Sequence, residues 1–246
     1  MERGDSLMTC DEEVAMGQGW VARAGEITDT VLWVLKLNGY WWLFTLLGLG
    51  LFGIGPATAT GAILVRRRNR GESTGLRATW QIYRTEFVSA NLVLTPAWLL
   101  AGLLASNLGW FAAGTAAAPW WITLAALAFV VTVLCFLAPL YACYDLPRRR
   151  YLLTAIKIAL ARPLWGVLMS LITVALVFAS SKIVILAPVL AVGVWLHTTS
   201  WLGLRFFAEN EDRLAARKAA EAAAGSADPT RTDPTFTLPT EPLRMN

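Results

Sequence analysis

Histidine occurs once in this chain, at His197, and cysteine three times, at Cys10, Cys135 and Cys143. Cys135 and Cys143 fall eight residues apart on one expected helix, ~12 Å along its axis, which is too far for a disulfide. There is no CxxC pair and no Cys/His cluster, so zinc and iron–sulfur chemistry find no ligand set. Charge is scarce as well, at 15% of 246 residues against about 25% in soluble domains. Asp145 is the one acid between Glu86 and Glu209, so that stretch offers no paired carboxylates for acid–base work. A serine nucleophile elbow and a Walker sequence are also missing. The expectation is a protein that is not an enzyme, with no catalytic, cofactor-binding or metal-binding residues. Leu7-Met8-Thr9-Cys10 faintly resembles a lipoprotein cleavage box, but no apolar run precedes it, so neither lipidation nor a cleavable signal peptide is expected.

What is abundant is hydrocarbon. Hydrophobic residues make up 56% of the chain, and the mean hydropathy is +0.52. The charges are confined to blocks, which is how a membrane protein arranges them. The net charge of +4 is therefore read by its distribution and points to no nucleic-acid partner. The partner implied throughout is the lipid bilayer.

The spans follow in order. Residues 1–30 form an acidic leader, with positions 1–20 expected to be disordered. Val21 to Leu37 suits a short interfacial helix, because Ile27, Val31, Val34 and Leu35 share one face. A first span is expected over Asn38–Val65. Its 28 residues exceed the ~20 that one crossing needs, and Gly55-Pro56 is the expected kink or break. Further spans are expected over Asn91–Phe111, Trp120–Tyr144, Leu164–Ala179 and Ile183–Leu204, with an amphipathic connector at 151–162. The domain reading is thus a leader at 1–30, a five-helix transmembrane domain at 31–207, a helical extension at 208–224 and a disordered Pro/Thr tail at 225–246. The fold class is all-α and polytopic.

Orientation comes from arginine. Arg66, Arg67, Arg68, Arg70, Arg77 and Arg84 follow the first span, and Arg148, Arg149, Arg150, Lys157 and Arg162 follow the third. The intervening loops carry almost none, so the positive-inside rule places the N-terminus outside and the C-terminus inside. Trp41, Trp42, Trp110, Trp120 and Trp121 then mark the outer interface, and Trp80, Trp165 and Trp201 the inner one.

Three features invite a chemical reading. Gly48-Leu49-Gly50-Leu51-Phe52-Gly53 matches GxGxxG, with Glu72 downstream. Nucleotide binding needs a strand before the motif and a βαβ unit around it, and an apolar span supplies neither, so close helix packing is expected instead. The small residues Gly53, Gly55, Ala57, Ala59, Gly61 and Ala62 would admit another helix, of this chain or a partner. His197, followed by Thr198, Thr199 and Ser200, is a candidate intramembrane polar site. The bland reading is a neutral imidazole bonded to a neighbouring helix. Asp145 is expected to cap the next helix or pair with an arginine. Lys36 is expected to snorkel, and Asn38, Asn91, Thr95 and Thr173 to bond between helices.

Asn38-x-x-Trp41, then Gly55-Pro56-Ala57-Thr58, then a basic segment closing on Gly71-Glu72, resembles the N-terminal signature of the YesL-type bacterial integral membrane proteins. Pro139-Leu140 and Tyr144-Asp145-Leu146 before a basic connector are similar to that family too. The resemblance covers about residues 30–210 and implies about five spans in the bacterial inner (plasma) membrane. It also implies an accessory or regulatory role in carbohydrate uptake, with ABC-transporter permease or ATPase subunits as partners. The alternative is a small transporter or channel, which with so few spans would have to work as a homo-oligomer.

Overall fold

The computed structural model describes residues 5–112, 117–183 and 187–226. Among them there are helices and no strands: α1 (Asp5–Leu47), α2 (Leu51–Asn69), α3 (Leu76–Ala112), α4 (Ala117–Cys143), α5 (Arg148–Ala161), α6 (Pro163–Lys182), a π-helical turn (Ala187–Ala191) and α7 (Val192–Ser226). Three helical stretches are long and apolar enough to cross a membrane, Leu76–Trp110, Pro119–Cys143 and Pro163–Lys182. They contain the expected span at 164–179 and all but the last residue of those at 91–111 and 120–144.

The expected single span at 38–65 is instead a helical hairpin. The chain reverses at Gly48-Leu49-Gly50, where Leu49 and Gly50 take φ of 58° and 74°. Only glycine enters that left-handed region without steric cost, so Gly50 makes the reversal accessible. Gly53 then lies against the Phe44 and Thr45 backbone, Trp41 bonds Thr58, and the Arg68 guanidinium stacks 4.7 Å from the Trp33 ring centre. The start of this part of α1 and the arginine-rich end of α2 therefore share one end. The aromatic cluster and the arginines do not sit at opposite ends of one crossing. Pro56 lies inside α2 and does not divide it. α1 also runs back to Asp5 as helix, through the leader expected to be disordered.

Its described side chains sort by face. Trp33, Val34, Leu37, Asn38 and Trp41 point inward, whereas Ile27, Val31 and Leu35, at four-residue spacing, stay exposed. That exposed stripe includes three of the four residues expected to lie at an interface. The buried face is held by small residues. Ala57, Ala59, Ala62 and Leu64 of α2 are at most 1% exposed. A Cβ on Gly61 would stand 2.8 Å from Leu196 Cδ1. The small-residue surface of α2 is thus consumed within the chain and is not available to a partner. Gly61→Leu should cost the fold about 2 kcal/mol by overpacking, read as a lowered melting temperature of the purified protein.

Trp110 and Trp121 are exposed near the facing ends of α3 and α4, as interfacial tryptophans are. Trp41, expected beside them, is buried. By spatial clustering the chain forms two units, Met1–Leu204 and Arg205–Asn246. In the second, Glu209 and Arg213 form the i,i+4 ion pair that their spacing suggests. The tail expected over 225–246 starts later than its sequence suggests, because α7 runs through Gly225 to Ser226; its remainder, 227–246, lies outside the described residues.

Candidate functional site

Asn38, on the inward face of α1, is 3% exposed. Its Nδ2 donates to the Pro188 carbonyl at 2.6 Å, and its Oδ1 accepts the Gly193 N–H at 3.0 Å. One amide thus clamps the π-helical turn and the first turn of α7. Gly193 permits this, because a Cβ there would meet the Val34 carbonyl and Asn38 itself.

One turn further along α1, Trp41 Nε1 donates to Thr58 Oγ1 at 3.1 Å, and Thr58 donates to the Ile54 carbonyl at 2.7 Å. Pro56 supplies no N–H to its own helix, so Thr58 and Trp41 add polar ties where the ladder is weakened. Gly71 and Glu72 end α2. The Gly71 N–H bonds the Arg68 carbonyl and the Glu72 N–H bonds the Arg67 carbonyl, a Schellman closure with Gly71 at φ 70°. Glu72 adds an ion pair to Arg67 at 3.4 Å. Gly55 lies against Thr95 of α3.

Tyr144 and Asp145 belong to the α4–α5 link. The residue that organises it is Tyr151, which the sequence reading did not single out. Its hydroxyl donates to the Tyr144 carbonyl at 2.6 Å and accepts the Leu146 N–H at 3.1 Å. Burial pushes the Tyr151 phenol above its ordinary pKa, so it stays protonated as the donor. Asp145 is exposed and makes no side-chain hydrogen bond or ion pair among the described residues. The residue before α5 is Pro147, without a side-chain cap, so the expected capping or pairing role of Asp145 is not met. Tyr151→Phe should cost about 1 kcal/mol, the net value of such a bond, read as a small fall in melting temperature.

Of the residues expected to bond between helices, Asn38 and Thr173 do. Thr173 accepts the Trp195 indole N–H at 3.1 Å and lies 3.6 Å from Cys135 Sγ. Asn91 and Thr95 bond each other within α3. The Lys36 ammonium rests near the Trp33 and Tyr40 rings. Gly48 and Gly53 of the GxGxxG run lie against each other across the turn, the close packing expected of them.

The arginine-rich end carries the other polar features. Arg66 donates to the Ala142 carbonyl near the end of α4. Tyr141 donates to Glu86 at 2.5 Å, so α2, α3 and α4 are tied together there. Trp33 Nε1, Arg68 Nη1, His197 Nδ1 and Ser200 Oγ are buried without a hydrogen-bond partner among the described residues. His197 Nδ1 therefore lacks the neighbouring-helix bond of the bland reading. No group of three metal-ligating side chains is found among the described residues.

These features define an all-helical protein with membrane-length apolar helices and an internally bonded N-terminal hairpin. The family described as "Protein of unknown function, DUF624" matches residues 34–108, which cover that hairpin and most of α3. The chain is 32% identical over 142 residues to "Uncharacterized protein YesV" of Bacillus subtilis (strain 168), an alignment covering 55% of this chain and 68% of that protein. It is 41% identical over 66 residues to "Uncharacterized protein YteU" of the same organism, covering 25% and 30%. No solved structure matches. The chain belongs to the DUF624 family, the YesL-type proteins that its motifs resemble.

Proposed function

We propose that this chain is a non-enzymatic, multi-pass protein of the bacterial plasma membrane, an accessory or regulatory component of carbohydrate ABC transport. The supporting observation is how the motif residues are spent. Asn38, Trp41, Gly55, Thr58, Gly71 and Glu72 are all engaged in holding the hairpin, its closure and its neighbours. Arg70, Arg77, Arg84 and Arg148 to Arg150 are exposed, and over residues 23–182 the exposed basic side chains outnumber the exposed acids, Glu26, Asp29, Glu72 and Asp145. The Arg66 bond to Ala142 draws the end of α4 to the end of α2. A rigid scaffold with a cationic end suits docking to an acidic subunit surface. The carbohydrate transporter itself comes from the family resemblance.

The arginine-rich end is taken as cytoplasmic, by the positive-inside rule. The hairpin then enters and leaves from that face and keeps the start of α1 inside, in place of the outside N-terminus that a single crossing implied. With α3, α4, α6 and the helix from Val192 as crossings, the C-terminus returns to the cytoplasm. That counts four crossings and a hairpin, where the sequence suggested five spans.

Affinity purification through the C-terminal tail in mild detergent, with mass spectrometry, is the test. Stoichiometric recovery of a permease or ATPase subunit is expected. Recovery of the chain alone would overturn the accessory reading. The second reading, a small oligomeric transporter or channel, draws on the unpartnered Nδ1 of His197 and Oγ of Ser200. It requires flux of an ion, proton or sugar in liposomes that His197→Ala abolishes.

A further inference from the structure

Between α3, α4 and α5 lies a groove of about 830 Å³. Leu92, Val93, Pro96 and Leu100 form one wall, Phe129, Val130 and Val133 the second, and Leu152, Leu153 and Ile156 of α5 the third. All ten are apolar. The remaining polar lining is Arg148 and Arg149, at the N-terminal end of α5. Both are exposed, and neither forms an ion pair or a side-chain hydrogen bond among the described residues. No acidic residue stands in the first turn of α5 and no side chain caps it, so its N-terminal dipole is an additional positive field at the same rim.

The position of that rim decides the occupant. α4 is one of the membrane-length helices and ends at Cys143. Arg148 and Arg149 begin the next helix after four intervening residues, which is headgroup depth for a crossing that ends there. The groove runs from this cationic rim along the walls of two membrane-length helices, a region where lipid chains are the solvent. α5 is apolar on its buried side and on part of its exposed side. Tyr151, Ala155 and Ala159 are buried, whereas Leu152, Leu153 and Leu160 are exposed. A soluble acidic peptide would meet the arginines and leave the long apolar slot empty. A neutral lipid would fill the slot and leave both guanidinium groups unpaired. A molecule with a phosphate at one end and an acyl chain at the other satisfies both.

We propose that this groove is a binding site for one anionic phospholipid, with its phosphate on Arg148 and Arg149 and an acyl chain between α3, α4 and α5. Guanidinium forks match phosphate oxygens in a bidentate way, and the chain gains contact with fixed walls. The site does not depend on the accessory reading and would persist in a transporter.

The test is native mass spectrometry of the full chain released from detergent, with phosphatidylglycerol or phosphatidylcholine added at equal concentration. The expected result is a saturable 1:1 adduct with phosphatidylglycerol and at least tenfold weaker retention of phosphatidylcholine. Replacing both arginines (Arg148→Gln with Arg149→Gln) should weaken phosphatidylglycerol binding about twenty-five-fold, taking each basic residue as worth roughly fivefold. Arg70→Gln, which removes an arginine outside the groove, should leave it unchanged. Leu100→Trp, an exposed wall position, should lower retention by filling the slot. Equal retention of the two lipids by the unmodified protein overturns the proposal, and so does full binding by the folded double variant. Displacement of the lipid by millimolar inorganic phosphate would also overturn it, by assigning the rim to free phosphate.

Discussion

Gly53→Ala should destabilise the protein by about 3 kcal/mol or more, at the upper end for overpacking a core position. The added methyl would meet the Thr45 carbonyl and the Phe44 carbonyl, both backbone atoms of the facing helix. A flexible side chain could swing away, but backbone cannot, so α1 and α2 would have to separate. Separation would also strain the bond from the Tyr83 hydroxyl to the Phe44 carbonyl, 2.9 Å long, and the stack of Phe44 on Tyr83. The measurement is the thermal midpoint of the detergent-purified protein. Gly25→Ala, where nothing lies within 4 Å, is the control and should leave the midpoint unchanged or slightly raised. A Gly53→Ala midpoint equal to that of the control would contradict the hairpin's close approach.

Asn38→Leu is the second large effect. Leucine has nearly the same size but can neither donate to the Pro188 carbonyl nor accept from the Gly193 N–H. Each buried backbone group left unpaired costs about 1–3 kcal/mol, so the pair should lose about 3 kcal/mol. The loss should be local in origin, because the clamp holds the π-helical turn and the start of α7. Hydrogen exchange should therefore rise at 188–196 before it rises in α3 or α4. Asn38→Asp keeps the acceptor, and its protonated form can also donate an O–H to the Pro188 carbonyl, so that form should fall between leucine and wild type. Uniform loss of protection throughout the bundle would argue against a clamp and for a general core role.

Much of this was legible in the chain itself. Three membrane-length helices follow from long apolar runs bounded by Glu86 and Trp110, by Trp120 and Tyr144, and by Pro163 and Lys182. The motif residues were legible as important but not as to role. Asn38 and Trp41 are three apart, so they share a face, but nothing local says that the first meets Gly193 and the second Thr58. The hairpin was hidden because Gly48-Leu49-Gly50 is apolar. A hydropathy profile runs through it unbroken, while the visible breaker, Pro56, sits within a helix that tolerates it. Tyr151 went unnoticed because its partners are backbone groups of residues 144 and 146, and backbone carries no sequence signal. The groove was hidden for a related reason: its walls come from three helices, and each reads alone as ordinary lipid-facing surface.

The start of the hairpin and its arginine-rich end should lie on one side of the membrane. This arrangement is tested most directly by single cysteines at Asp29 and at Gly71, in a background lacking Cys10, Cys135 and Cys143, labelled with a membrane-impermeant maleimide in sealed right-side-out and inverted vesicles. Both positions should be labelled in inverted vesicles and protected in right-side-out ones. Labelling of the two positions from opposite faces would contradict the hairpin and restore a single crossing between residues 38 and 65.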